Sequence, residues 1–274
     1  MKLFDDFGRR LPSSGDRVFG DNPSFYYKLN QPKIDYASIL QRAKKYGLCS
    51  EDLSITHFQS KAIDLLDLIK KNNSFSQMTK GVHIPFIYSN PSKIEDIGTN
   101  LEEKILPALQ ESFTDKFPNS HFKAVLQSDS KLKNNISIHP DSDYETFIND
   151  SSDGLIGWYF PQVFQEFDID SQRAQLKKLP YIEGVKLCLS GGMDISAALI
   201  SSPELLIDKD QRGKFNMVCS DLTSRIDVAT ELLCILNLNN KIKITEVNSD
   251  FFAKEYFALR PDCERLINKK LNDL

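Results

Sequence analysis

The sequence has no CxxC pair, no run approaching the roughly 20 apolar residues of a spanning helix, and no excess of basic charge. Without paired cysteines, neither a zinc ribbon nor a dithiol redox motif has ligands to build on. The five cysteines, Cys49, Cys188, Cys219, Cys234 and Cys263, are scattered and odd in number. They read as free thiols of a reducing compartment, with Cys188 and Cys219, each inside an apolar run, as small buried hydrophobes. Charges at Lys2, Asp5 and Asp6 stand where a signal peptide would carry its apolar core. The expectation is a soluble, cytoplasmic chain with no membrane span. With 34 basic against 38 acidic residues and a net charge of -4, nothing favours displacing counterions from a nucleic acid, so that class of partner is not expected. Histidine is scarce as well. His57, His83, His121 and His139 never fall at i, i+4 or HxH spacing, and no metal site is expected. His139 beside Asp141 and Asp143 could furnish a metal or acid–base site, but adjacency alone favours a solvated, carboxylate-rich turn.

What is present is ordinary globular material: 274 residues, 41% hydrophobic and 26% charged, enough to bury roughly three quarters of the unfolded surface. The abundance of Lys, Asn, Ile and Ser points to an AT-rich bacterial genome. Residues 1–35 are punctuated by Gly and Pro, which blocks long helices. Phe19, Phe25, Tyr26 and Tyr27 mark them as an arm that packs on something. Tyr36, Ile39, Leu40 and Ala43 share one helix face, ended by Gly47. Ser50-Glu51-Asp52 reads as the cap of a second helix with the stripe Ile55, Phe58, Ala62, Leu65, Leu66 and Ile69. From residue 82 short apolar runs alternate with helical stretches. Strands are expected at 82–88, 122–127, 135–138, 155–160, 185–189, 215–220 and 242–247. Those at 122–127 and 135–138 would form a hairpin. Helices are expected at 94–117, with a kink or break at Pro107, and at 171–179, 194–201 and 225–236. The fold class is α/β (or α+β): a mixed or parallel sheet flanked by helices, with a helical N-terminal portion. The organisation is an aromatic and Pro-rich arm plus helical portion over 1–80, then an α/β domain over 81–274.

The sharpest motif is Val185-Lys186-Leu187-Cys188-Leu189-Ser190-Gly191-Gly192-Met193-Asp194, an apolar run entering Ser-Gly-Gly-x-Asp and then a helix. Paired glycines let the backbone approach a ligand closely, and the helix N-terminus beyond can hold an anion. The pair also predicts a turn whose positive φ a β-branched residue at 192 could not adopt. The bland alternative is a glycine turn with Asp194 as a helix cap. The motif resembles the pyrophosphate loop of the ATP-pyrophosphatases, the family of the GMP, NAD and asparagine synthetases. That resemblance implies ATP and magnesium as ligands and Ser190, Gly191, Gly192, Asp194 and Ser196 as nucleotide-binding residues. The family's Asp-Ser is Asp194-Ile195 here, with Ser196 one position late.

Gly213-Lys214-Phe215-Asn216, Arg260-Pro261, Leu266 and Lys269-Lys270-Leu271 resemble instead the C-terminal part of extended short-chain dehydrogenases. That family carries a glycine-rich turn for the dinucleotide, which this chain lacks, and a Tyr-x-x-x-Lys pair. His57-Phe58-Gln59-Ser60-Lys61 has His in place of Tyr.

The segment Trp158, Tyr159, Phe160, Phe164 and Phe167 holds the lone tryptophan in an aromatic cluster. It reads either as an interaction surface or as a strand packed inward. Every catalytic pattern lacks a member while the core-forming pattern is intact. The expectation is a non-catalytic interaction or accessory protein, an assembly subunit or secreted effector of a bacterial cell, with a protein partner and no cofactor. An ATP-binding protein derived from the pyrophosphatases is the competing reading.

Overall fold

A computed structural model describes residues 2–18, 30–89, 96–119, 121–124, 133, 136–138, 144–164, 167, 169–206, 214–224, 231–238 and 241–248. Helices and strands are mixed along the chain.

Helix α1 (Tyr36–Lys45) begins at Asp35, whose carboxylate accepts the amides of Ala37 and Ser38. Its inward face is Ile39, Leu40 and Ala43, as their spacing predicts. Gly47, at φ +67°, ends it: Gly47 N donates to the Lys44 carbonyl and Leu48 N reaches back to Ala43. Helix α2 (Ile55–Lys71) is capped by Ser54 rather than by the earlier Ser50. It buries Phe58, Ala62, Leu66 and Ile69.

The helical stretch expected at 94–117 divides into α3 (Ile97–Asn100), a wide π turn (Leu101–Ile105) and α4 (Leu106–Lys116). Pro107 has no N–H to return to the preceding turn. The ladder widens just before it, with Leu106 N reaching five residues back to the Leu101 carbonyl.

Strand β1 (Ile84–Tyr88) pairs antiparallel with β4 (Leu155–Tyr159), Ile84 opposite Tyr159 and Tyr88 opposite Leu155. Pro85 is tolerated because, among the described residues, β1 has a ladder on one side only. A second sheet has the order β2-β7-β6-β5-β3, with β2 (His121–Ala124), β3 (Ile136–Ile138), β5 (Lys214–Ser224), β6 (Glu231–Leu238) and β7 (Lys241–Asn248). Only β2 with β7 runs parallel; the other pairs in that sheet are antiparallel.

Several expectations are corrected here. β2 and β3 do not form a hairpin but sit at opposite edges of the five-stranded sheet. The helix expected at 225–236 is overturned where it is described: residues 231–238 are a strand held between β5 and β7. A short apolar run does not distinguish the two states by itself, and ladders on both sides decide it. Residues 185–189 form no strand; Val185 makes one isolated bridge to Ile182. The two remaining helices of this region follow expectation more closely: α6 (Ile169–Lys177) and α7 (Gly192–Ser201). Between β3 and β4 the chain carries α5 (Tyr144–Asp150), with Tyr144 and Phe147 buried.

Helix α7 is buried along its whole length and packs on β1, α4 and α1. With every residue of α7 buried, the helix has no solvent face to offer. The cluster around it draws on both sides of residue 80, joining Ile39, Leu40 and Phe58 to Ile84, Tyr88, Leu109, Phe113 and Met193. A second cluster of Phe4, Ile69, Phe75, Met78, Val163, Ile182 and Val185 lies under the N-terminal arm.

Candidate functional site

The sequence motif falls at the N-terminus of α7. Gly191 is the cap residue, at φ -117° and ψ -168°, extended backbone open to any residue. Gly192 opens the helix and is not among the positive-φ glycines. The expectation of a left-handed turn at 192 is therefore corrected: the chain enters α7 directly from extended backbone. What Gly191 supplies is room. A Cβ there would lie 2.4 Å from Cζ of Tyr144, far inside van der Waals contact with its ring.

Tyr144, with 0% exposure, is the residue that the sequence reading missed. Its hydroxyl accepts the Met193 amide at 3.0 Å and donates to Asp194 Oδ1 at 3.1 Å. Asp194 Oδ1 also accepts the Gly191 amide at 2.8 Å, the return half of a capping arrangement. Asp194 is 4% exposed. The ring of Tyr144 stacks on Phe147 at 5.1 Å, and Phe147 on Tyr88 at 6.0 Å. Tyr88 Oη accepts Asn100 Nδ2 at 3.4 Å, and the same Nδ2 approaches Met193 Sδ at 3.6 Å. Burial pushes the Tyr88 phenol up to about 12; the Asn100 bond opposes this and the negative Asp194 adds to it.

Two of the amides that a helix N-terminus offers an anion, those of Gly191 and Met193, are thus engaged by Asp194 and Tyr144. Of the other motif residues, Ser190 is half-buried and Ser196 lies buried within α7. The far end of the helix is closed in the same way. Ser112 Oγ donates to the Ile200 carbonyl at 2.8 Å and Arg42 Nε to that of Ser201 at 2.9 Å. Arg42 also faces Glu204, which Lys116 approaches at 3.2 Å.

The aromatic segment packs inward. Tyr159 and Phe167 are buried, and Trp158, Phe160 and Phe164 half-buried. Trp158 Nε1 donates to the Ala62 carbonyl at 2.8 Å, tying β4 to α2. His83 lies 5.4 Å from the Trp158 ring and stacks on Phe160 at 5.8 Å. Its Nδ1 lies 2.9 Å from the Gly81 carbonyl; since a carbonyl only accepts, that nitrogen carries the proton. Burial pushes the His83 imidazole below its ordinary range; the Gly81 bond opposes this and Lys70 adds to it.

Cys188 corrects another expectation, being exposed. In the extended run 185–189, Val185 and Leu189 turn inward and Cys188 turns out. Cys49 is half-buried, and burial pushes its thiol up to about 11. The side chains of Cys219 and Cys234, the turn holding His139, and the residues 213, 260–261, 266 and 269–271 of the dehydrogenase resemblance lie outside the described residues. Among the described residues no group of three or more His, Cys, Asp or Glu is placed to hold a metal, and no helix is long and apolar enough to cross a membrane.

No family model matches the chain, and no curated protein or solved structure matches it either.

Proposed function

We propose that this chain is a non-catalytic interaction or accessory protein of a bacterial cell, acting in the cytoplasm or as a secreted effector on a protein partner. Its fold is read as α/β, a mixed sheet flanked by helices with a helical portion before residue 80. In this reading Ser190-Gly191-Gly192-Met193-Asp194 anchors α7 and is not a phosphate cradle. One observation carries it: the ring of Tyr144 occupies the space beside Gly191, and its hydroxyl engages both Met193 N and Asp194. A pyrophosphate loop leaves that space and those amides to the nucleotide. Among the described residues, the most exposed large apolar side chains support a contact role, Tyr181 at 83% and Phe7 at 59%.

Calorimetry with ATP and magnesium tests the reading, together with affinity capture by the native chain and by its Tyr181→Ala variant. A flat calorimetric trace and a specific partner lost on Tyr181→Ala support it. A saturable isotherm in the micromolar range overturns it and restores the ATP-binding alternative.

A further inference from the structure

We propose that residues 2–18 form a strap that opens as a unit and uncovers the apolar cluster of Phe75, Met78, Val163 and Ile182 while α7 stays folded. Part of the strap has structure of its own. Phe4 bridges Arg10, Asp5 N donates to the Arg9 carbonyl at 2.8 Å, and Gly8 N to that of Asp5 at 3.2 Å. Asp5 Oδ1 accepts the amides of Phe7 and Arg9, and Arg9 Nε donates to Asp5 Oδ2. None of these bonds involves the body of the protein, so the turn keeps them when it lifts away.

Its seat is apolar. Phe4 is fully buried, its ring 5.7 Å from that of Phe75. Gly8, at φ +79°, presses on the backbone at 78–81; a Cβ there would lie 2.4 Å from Gly81 N and 2.6 Å from the Met78 carbonyl oxygen. Its polar fastenings reach residues 163–178. Arg10 N donates to the Val163 carbonyl at 2.7 Å, Arg17 N to Ser171 Oγ at 2.9 Å, and Val18 bridges Phe167. Asp16, its side chain 3% exposed, gathers several more: Oδ2 accepts Ser13 N, Ser13 Oγ and Gln175 Nε2, and Oδ1 lies 3.6 Å from Lys178 Nζ.

Closure has a built-in opposing term. Arg10 Nε and Gln175 Oε1 are both buried at this junction with no hydrogen-bond partner. A buried polar atom left unsatisfied favours the state in which water reaches it. The cluster beneath the strap is also separate from the one around α7, so opening leaves the larger core intact.

Hydrogen exchange on the full chain tests this. The amides of Arg10 and Arg17, both bonded across the junction, exchange together and faster than those of Ile195 in α7 and Ser202 at its C-cap. Asp16→Ala speeds them about tenfold or more, and so does Gly8→Ala, with the α7 amides unchanged. Met78→Cys reports the uncovering: maleimide labels that thiol faster when Asp16→Ala is also present. Strap and α7 amides that exchange at one rate and respond alike overturn the proposal. So do strap amides indifferent to Asp16→Ala, or faster strap exchange with no change in labelling at position 78.

Discussion

Tyr144 stands where a side chain on Gly191 would begin, 2.4 Å from the position of its Cβ, while its hydroxyl joins the Met193 amide to the Asp194 carboxylate. The first turn of a wholly buried helix is thereby closed by a residue 50 positions earlier in the chain. Asp194 fixes the turn from within and Tyr144 seals it from outside.

Tyr144→Phe keeps the ring and removes the hydroxyl. Met193 N then loses its acceptor and Asp194 a donor, both out of reach of bulk water. The expected loss is about 1–3 kcal/mol of stability, read as a lower midpoint in thermal or urea unfolding. An unchanged midpoint would mean that the hydroxyl contributes nothing to the closure.

Gly191→Ala drives a methyl into the Tyr144 ring, which is itself packed on Phe147. Overpacking of this kind costs about 1–3 kcal/mol. A double-mutant cycle identifies the cause: the cost should shrink markedly in a Tyr144→Ala background. A cost that stays constant would trace the need for glycine to something other than the ring.

Ser112→Ala and Arg42→Ala each strip a donor from the last carbonyls of α7. Losses of about 1 kcal/mol for Ser112 and up to about 2 kcal/mol for Arg42 are expected, the second including the contact with Glu204. Urea unfolding with an unaltered slope checks both; a changed slope would mean that the folded or unfolded ensemble had changed instead.

His83 gives a pH dependence with a definite sign. Its folded-state pKa is depressed from 6.5 by burial, so the folded state favours the neutral ring. The associated stability is fully present above 6.5 and is lost as pH falls through the depressed value. The ring proton resonances of His83 should titrate with a midpoint below 6.5, and His83→Phe should flatten the fall of the unfolding midpoint over that range. A midpoint at or above 6.5 would remove the burial argument.

Local signals made much of the secondary structure legible. The α1 stripe, its end at Gly47 and the apolar face of α2 were readable because caps and helical periodicity act over a few residues. The candidate site was half legible. Ser190-Gly191-Gly192-Met193-Asp194 announced the start of a helix, but not what lies against it. The one signal for Tyr144 was its spacing to Phe147 and Ile148, the i, i+3, i+4 pattern of a helix face inside an otherwise polar stretch. The strand at 231–238 was not legible because its state depends on ladders to β5 and β7, not on its own residues.

The sequence by itself determined that a helix would follow the glycine pair, over 194–201, since paired glycines and a capping carboxylate lead into it. It also determined that Asp194 would serve the first turn, because an acid at the third helical position reaches back to the cap amide within one turn. Tertiary structure alone decided what lies against that turn. The same glycine and carboxylate can receive a phosphate or a neighbouring side chain, and here Tyr144 takes the place. Arg42, 159 residues from Ser201, then closes the opposite end. Contacts across such separations are set by how whole elements pack, and a motif read along the chain does not contain them.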